Sequence, residues 1–363
     1  MWRRMPRVVW RAMMFGKNLE YYRLKAGMTK KALAEKCGLT TTTISNYELG
    51  KRSPESIDIV KHLASALGIR MLDFMTTWNE ELHIECAEYR KQKACLKKSQ
   101  DYVRSAVEEY LNRFYTIVEV LGEKVLPEVP TSRSLQLARD ADANALNMRR
   151  HLKFALIGSV GNIIERLENL GFIVFEIDFD EGIRFSGMNG SVNGRPYIVL
   201  NRNMPPAVKR STLAHELAHM MFDWSSFTGN AEKEATAIGG AFLFPKEDAI
   251  RELGLKRISL TKDLLSICRE YGISYRLLVT RAKICGIISE SVAKNFYIQA
   301  NKYGWQYNDP MLIAEETPTL FEQLVFRAVN QNEISLSHAS DLLKQSCESI
   351  IERCMFTQEC DPV

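Results

Sequence analysis

Residues 209–222 read KRSTLAHELAHMMF. Leu213, Leu217 and Met220 recur at spacings of three and four, which predicts a helix with a buried apolar stripe. His215 and His219 are four apart, so they stand on one face, one turn above the other. At that spacing both imidazoles can reach one ion at about 2.0–2.1 Å. Glu216, next to the first histidine, can take the proton of a water attacking a carbonyl and return it to the leaving amine. Burying His-Glu-His on an otherwise apolar helix without a metal would be costly.

A third ligand is needed, and the remaining histidines are His62, His83, His151 and His338. None lies in the hundred residues after the pair, so a carboxylate is favoured, giving a His₂Glu zinc site with water in the fourth position. The next helical stretch, AEKEATAIGGAFLFP at 231–245, offers Glu234 as the preferred ligand and Glu232 as the reserve. Asp223, one turn beyond His219, is a third local option better suited to capping the helix. Two adjacent glycines, Gly239 and Gly240, cost a helix about 2 kcal/mol against alanine. They make sense where another backbone passes close by, which predicts that this helix packs tightly on the His helix.

Upstream, Phe172–Ile177, Gly182–Phe185 and Pro196–Leu200 read as strands, with Gly187, Gly190 and Gly194 between them as turns. The expectation is a small three-stranded antiparallel sheet lying against the His helix. RSTLAHELAHMMFD and EKEATAIGGAFLFP, with the preceding GNIIERLENLGFIVFEID and RPYIVLN, are similar to the ImmA/IrrE metallopeptidases over about 150–250. That resemblance implies a zinc-dependent, gluzincin-like fold, with the third ligand at Glu234 and with repressors as cleaved substrates. The departures are Ala218 for the usual Gly, Thr236 for Asn, and Gly239-Gly240 for Phe-Ala. None removes a ligand, but the last bears on the substrate cleft.

The N-terminal part has a different character. The net charge is +4 overall, and residues 1–16 and 17–76 each carry +4, leaving about −4 for the rest. A basic segment on an acidic body points to nucleic acid at one end. Leu19, Tyr22 and Leu24 fit a first helix. Thr29 caps a second over Lys30–Cys37, Gly38 suits a left-handed turn, and Thr40 caps a third through about Glu48. Ile57, Val60, Leu63 and Leu67 mark a fourth. Two helices joined at Gly38 form a helix-turn-helix, whose second helix would present Thr41, Thr42, Ser45 and Asn46 to the major groove. The run GMTKKALAEKCGLTTTTISNYELGKRSPESIDIVKHLASALGI resembles the Xre/Cro repressor domains. This implies a five-helix domain binding operator DNA, usually as a dimer, so a homodimer is open. Lys30 stands where that family often has Gln; it can reach a phosphate but cannot pair with adenine.

The expected architecture is therefore α+β and mostly helical, in four parts. These are a helix-turn-helix domain at 14–76, a helical connector at 77–125, a zinc metallopeptidase-like domain at 126–255 and a helical C-terminal region at 256–363. The connector reads as one or two long helices from Glu80 to Leu121. Met13 and Met14 are alternative starts just before the first patterned segment. In the C-terminal region the punctuation at Gly272-Ile273-Ser274 resembles a second helix-turn-helix, and Tyr271, Tyr275 and Arg276 are candidate oxyanion donors. Eight scattered cysteines without a C-x-x-C pair argue against a cysteine-built zinc site and fit reduced thiols in a cytoplasm. No apolar run reaches the roughly 18 residues of a membrane span. The leading function is a DNA-binding regulator carrying a zinc endopeptidase that cleaves a repressor or antitoxin-like protein. The alternative is a transcription factor whose peptidase-like domain senses metal or ligand without turnover.

Overall fold

The computed structural model describes residues 7–76, 82–86, 97–178, 185–302 and 313–354. The chain divides into two compact units. One joins residues 1–84, 88–122 and 325–363; the other joins 85–87 and 123–324.

The first unit opens with α1 (Arg7–Lys25), α2 (Lys30–Cys37), α3 (Thr41–Glu48) and α4 (Ile57–Leu67). The expected caps form: Thr29 Oγ1 accepts from Ala32 N, Thr40 Oγ1 from Thr43 N, and Gly38 adopts a left-handed conformation at φ 65°. The fifth helix expected of the domain is a 3₁₀ turn, Met71–Met75, which inserts Phe74 among Phe15, Leu19, Leu33, Ile44, Tyr47 and Leu63. Gly16 lets α1 cross the end of α3, since a Cβ there would lie 2.4 Å from the Tyr47 carbonyl oxygen. The buried Glu48 carboxylate ties three helices together. It accepts from Arg23 Nε at 2.5 Å and Nη2 at 3.2 Å, and Lys30 Nζ lies 3.0 Å away.

The connector contains a long helix as expected, but its start departs from the helical reading. Residues 84–86 form strand β1 (Ile84–Cys86), and α5 spans Lys97–Leu121. Ser191 Oγ donates to Glu85 Oε2, and Tyr197 Oη to the Glu85 carbonyl. Tertiary pairing at a sheet edge thus overrides the helical composition of this short stretch.

The second unit begins with α6 (Ala141–His151) and α7 (Ile163–Asn169). Strands β2 (Ile173–Ile177), β3 (Gly187–Val192) and β4 (Arg195–Asn201) join β1 in the order β1-β3-β4-β2. The sheet is mixed, with β2 parallel to β4 and β3 antiparallel to it, rather than three antiparallel strands. The strand expected at 182–185 lies largely outside the described residues. The additional strand, β3, contains two glycines expected in turns. Gly187 lets Thr212 come close, and a Cβ on Gly190 would lie 2.4 Å from the Tyr197 ring. The turn between β3 and β4 is Asn193-Gly194, both at positive φ (50° and 77°), the twist that two-residue hairpins require.

Helix α8 (Pro206–Met221) packs on this sheet, and α9 (Ala231–Leu243) packs on α8. The close approach anticipated from the glycine pair occurs at Gly239. A Cβ there would stand 3.0 Å from His215 N and 3.1 Å from Ala214 C. At Gly240 it would meet the Leu277 and Arg281 side chains instead. The C-terminal end of α9 is held by two buried guanidiniums, since helix-end carbonyls lack intrahelical partners. Arg149 Nε donates to the Phe242 carbonyl at 2.8 Å, and Arg281 Nε to that of Phe244 at 2.9 Å.

After α10 (Lys246–Leu253), helices α11 (Leu264–Tyr271) and α12 (Tyr275–Ile284) pack into the same core as α8 and α9, followed by α13 (Glu290–Lys302). This helix pair, read as resembling a second helix-turn-helix, is part of the core rather than a separate region. Helix α14 (Leu320–Asn330) starts where Glu168 accepts the N–H groups of Thr319 and Leu320. The chain then re-enters the first unit with α15 (Leu336–Leu343) and α16 (Cys347–Cys354). There Lys344 Nζ lies 2.6 Å from Glu109 Oε1, and Arg113 Nε donates to the same oxygen at 2.8 Å.

The two glycines of α9 should therefore respond differently to substitution. Gly239→Leu should cost about 1–3 kcal/mol or more in denaturant unfolding, because overpacking here meets backbone. Gly240→Ala should stay within about 1 kcal/mol of wild type, because only side chains must yield.

Candidate metal centre

Helix α8 stacks His215 above His219, and the N-terminal turn of α9 lies over both. His215 Nε2 and His219 Nε2 are 3.2 Å apart. Glu232 Oε2 stands 3.3 Å from the first nitrogen, and its Oε1 stands 3.5 Å from the second. Two atoms each about 2.0–2.1 Å from a tetrahedral ion lie about 3.3 Å apart, so these three donors fit one such ion. Among the described residues they form the group able to hold a metal.

The structure brings the reserve, Glu232, to the histidine pair, and Glu234 is not part of this group. Two residues along a helix turn the side chain by about 200°, so Glu232 and Glu234 point nearly opposite ways. The face towards α8 is instead marked by Glu232, Thr236 and Gly239. Asp223 is no donor either; its Oδ1 accepts the Ser225 N–H in the turn after α8.

Thr236 sets the orientation of His215. Its hydroxyl donates to the Glu232 carbonyl at 2.7 Å, so its oxygen is left to accept from His215 Nδ1 at 3.2 Å. That tautomer leaves the Nε2 lone pair facing the centre, the arrangement metal-binding histidines use. Burial lowers the His215 pKa, although Glu232 opposes this, which favours the neutral ring. Trp224 packs beside His219 with ring centroids 5.3 Å apart.

Glu216 lies on the same helix and is 8% exposed. Burial pushes its carboxyl up to about 7, against the hydrogen bond from Asn189, which favours the ionised form. Asn189 Nδ2, on β3, donates to Glu216 Oε2 at 2.6 Å. Asn189 and Thr236 escape a reading based on ligand spacing, because they act through the residues they touch. Thr236 is visible in retrospect as one turn beyond Glu232.

The candidate oxyanion donors are engaged elsewhere. Tyr271 is buried with its hydroxyl against Arg251 and Glu252, and Tyr275 donates to the Thr261 carbonyl. Arg276 lies over the Tyr297 ring at 5.2 Å.

In the first unit, Thr41 and Thr42 at the start of α3 are exposed, and Ser45 and Asn46 are half-buried on the same short helix. Ile44 and Tyr47 turn inward. Lys30, expected to reach a phosphate, has its ammonium paired with Glu48.

Residues 19–74 match the helix-turn-helix family, and residues 167–283 match the IrrE N-terminal-like domain, peptidase M78. The chain therefore joins an Xre-type helix-turn-helix domain to a metallopeptidase-like domain of the ImmA/IrrE type. No curated protein and no solved structure matches it.

Metal binding should separate the two glutamates of α9. Glu232→Gln should lose most bound zinc in equilibrium dialysis, whereas Glu234→Gln should keep it. Equal loss in both variants would overturn the assignment. Thr236→Val should weaken metal affinity about 10–100-fold in competition with a chromogenic chelator, while the melting temperature of the metal-free protein stays close to wild type.

Proposed function

We propose that the chain is a DNA-binding regulator whose second unit is a zinc-dependent endopeptidase, acting on a repressor or antitoxin-like protein. The observation that carries this reading is the Glu216 carboxylate on the same helix as two of three donors at tetrahedral spacing. Zinc bound to His215, His219 and Glu232 would polarise a peptide carbonyl and lower the pKa of water toward about 7. Every other part falls to protein groups. Asn189 occupies one oxygen of Glu216, leaving the other to take a proton from the attacking water. Burial favours the protonated carboxyl, so once it has taken the proton Glu216 can also deliver it to the leaving nitrogen.

The first unit supplies the address. Short polar side chains at the exposed start of α3 suit base edges and phosphates, and Glu48 locks that helix to α1 and α2. With Lys30 held by Glu48, base reading rests on Thr41, Thr42, Ser45 and Asn46. Among the described residues no helix is long and apolar enough to cross a membrane. Free thiols at Cys37, Cys285, Cys347 and Cys354 fit a cytoplasmic setting.

Two measurements test the reading. Glu216→Gln should retain zinc yet lower cleavage of a co-encoded partner protein by about 10²–10⁴-fold. If partner-dependent regulation survives in Glu216→Gln but fails in His215→Ala, the unit is a metal-dependent sensor instead. Asn46→Ala should weaken binding to the specific operator by about 1–3 kcal/mol while leaving non-specific binding unchanged. Unaltered specific binding after joint replacement of Thr41, Thr42 and Asn46 would refute the recognition-helix assignment.

A further inference from the structure

The first unit contains a cavity of about 770 Å³ that the peptidase and DNA-binding readings do not use. Its size falls within the roughly 300–1,000 Å³ of small-molecule sites. Four stretches distant in sequence wall it: α1, the segment after α4, α5, and α15 with the residues that follow it.

The walls are unlike in charge. On one side Lys25, Arg113 and Lys344 face the cavity, and the buried Glu109 behind them serves both Arg113 and Lys344. Among the described residues of this wall, three cations stand against the one carboxylate of Glu109. The crowding is reflected in Lys344, whose ammonium burial depresses to about 8, with Arg113 and Lys25 adding to the effect against Glu109. Across the cavity Arg70 is balanced by Asp73 and Asp341, at 2.7 and 3.3 Å. Beside them, Leu72 and Met75 are 74% and 54% exposed, apolar surface that the folded unit leaves in water. A basic wall facing exposed apolar side chains and several hydroxyl and amide groups suits an organic anion better than a bare inorganic one.

We propose that this cavity binds a small organic oxyanion, a phosphate monoester or a carboxylate, with its head group against Lys25, Arg113 and Lys344 and its body over Leu72 and Met75. Such a ligand would touch α1 and the segment after α4, both of the helix-turn-helix part, together with the α15 end. It would therefore bind the arrangement in which α15 is docked and stabilise it relative to any other.

The test uses the full-length protein in calorimetric titration with AMP, succinate, inorganic phosphate and uncharged adenosine. The expected result is saturable binding of AMP or succinate at one site, tighter than inorganic phosphate or adenosine. AMP ahead of succinate identifies a phosphate head, and the reverse identifies a carboxylate. Lys25→Gln, at an exposed position, should weaken that binding about ten-fold while the ligand-free melting temperature is unchanged. Leu72→Asp should weaken the organic anion more than inorganic phosphate. No binding of any anion at millimolar concentration overturns the proposal, as does adenosine binding as well as AMP. So does anion binding that Lys25→Gln leaves unaltered.

Discussion

The metal centre depends on how closely two helix backbones approach. Helix α9 must lie near enough to α8 for Glu232 to share a point with His215 and His219, and the contact that permits this is Gly239 against the backbone at Ala214 and His215. A Cβ there would meet that backbone at 3.0–3.1 Å, and a longer side chain would push α9 away and draw the carboxylate off the two imidazoles. The same helix brings Thr236 to the outer nitrogen of His215, so one packing contact serves both the donor and the group that orients its neighbour. Arg149 and Arg281 hold the C-terminal end of α9 through the Phe242 and Phe244 carbonyls. The C-terminal half of the helix is thus fixed twice, by the close approach at Gly239 and by charge-assisted hydrogen bonds about one turn further on.

Much of this was legible in the sequence, because it rests on local rules. The histidine pair follows from helical period, the caps at Thr29 and Thr40 from short hydroxyl side chains, and the close packing of α9 from paired glycines. The choice between Glu232 and Glu234 was not, since both lie in one turn and the phase of α9 is set by its contact with α8. Nor was β3, whose glycines read as turns because their packing against Thr212 and Tyr197 is long-range. A local signal was available nonetheless: Asn193-Gly194 is the dipeptide that two-residue hairpins favour. Strand β1 had no such signal, being three residues with one partner strand.

Buried charge recurs in the first unit as a means of joining elements. Glu48 gathers Arg23 and Lys30, and Glu109 gathers Arg113 and Lys344. Each arrangement leaves one carboxylate shared by two cations, and removing the acid would strand both. Buried pairs of this kind add little net stability compared with apolar packing, but they discriminate sharply against wrong partners. Glu48 thereby defines where α3 sits on α1, and Glu109 defines where the end of α15 sits on α5.

The placement of Lys344 carries a consequence for biosynthesis. The second unit's residues 123–324 are interposed between the Glu109 helix and the segment that supplies its second cation, 202 residues by the difference of those numbers plus one. At about 5–20 residues per second, a ribosome takes on the order of 10–40 s to cross that insertion. Throughout that interval a nascent chain has α5 and the helix-turn-helix but lacks α15, so Glu109 can pair with Arg113 alone. The first unit reaches its complete form only after the metallopeptidase-like domain has been synthesised, which makes finished α15 contacts a mark of a full-length chain.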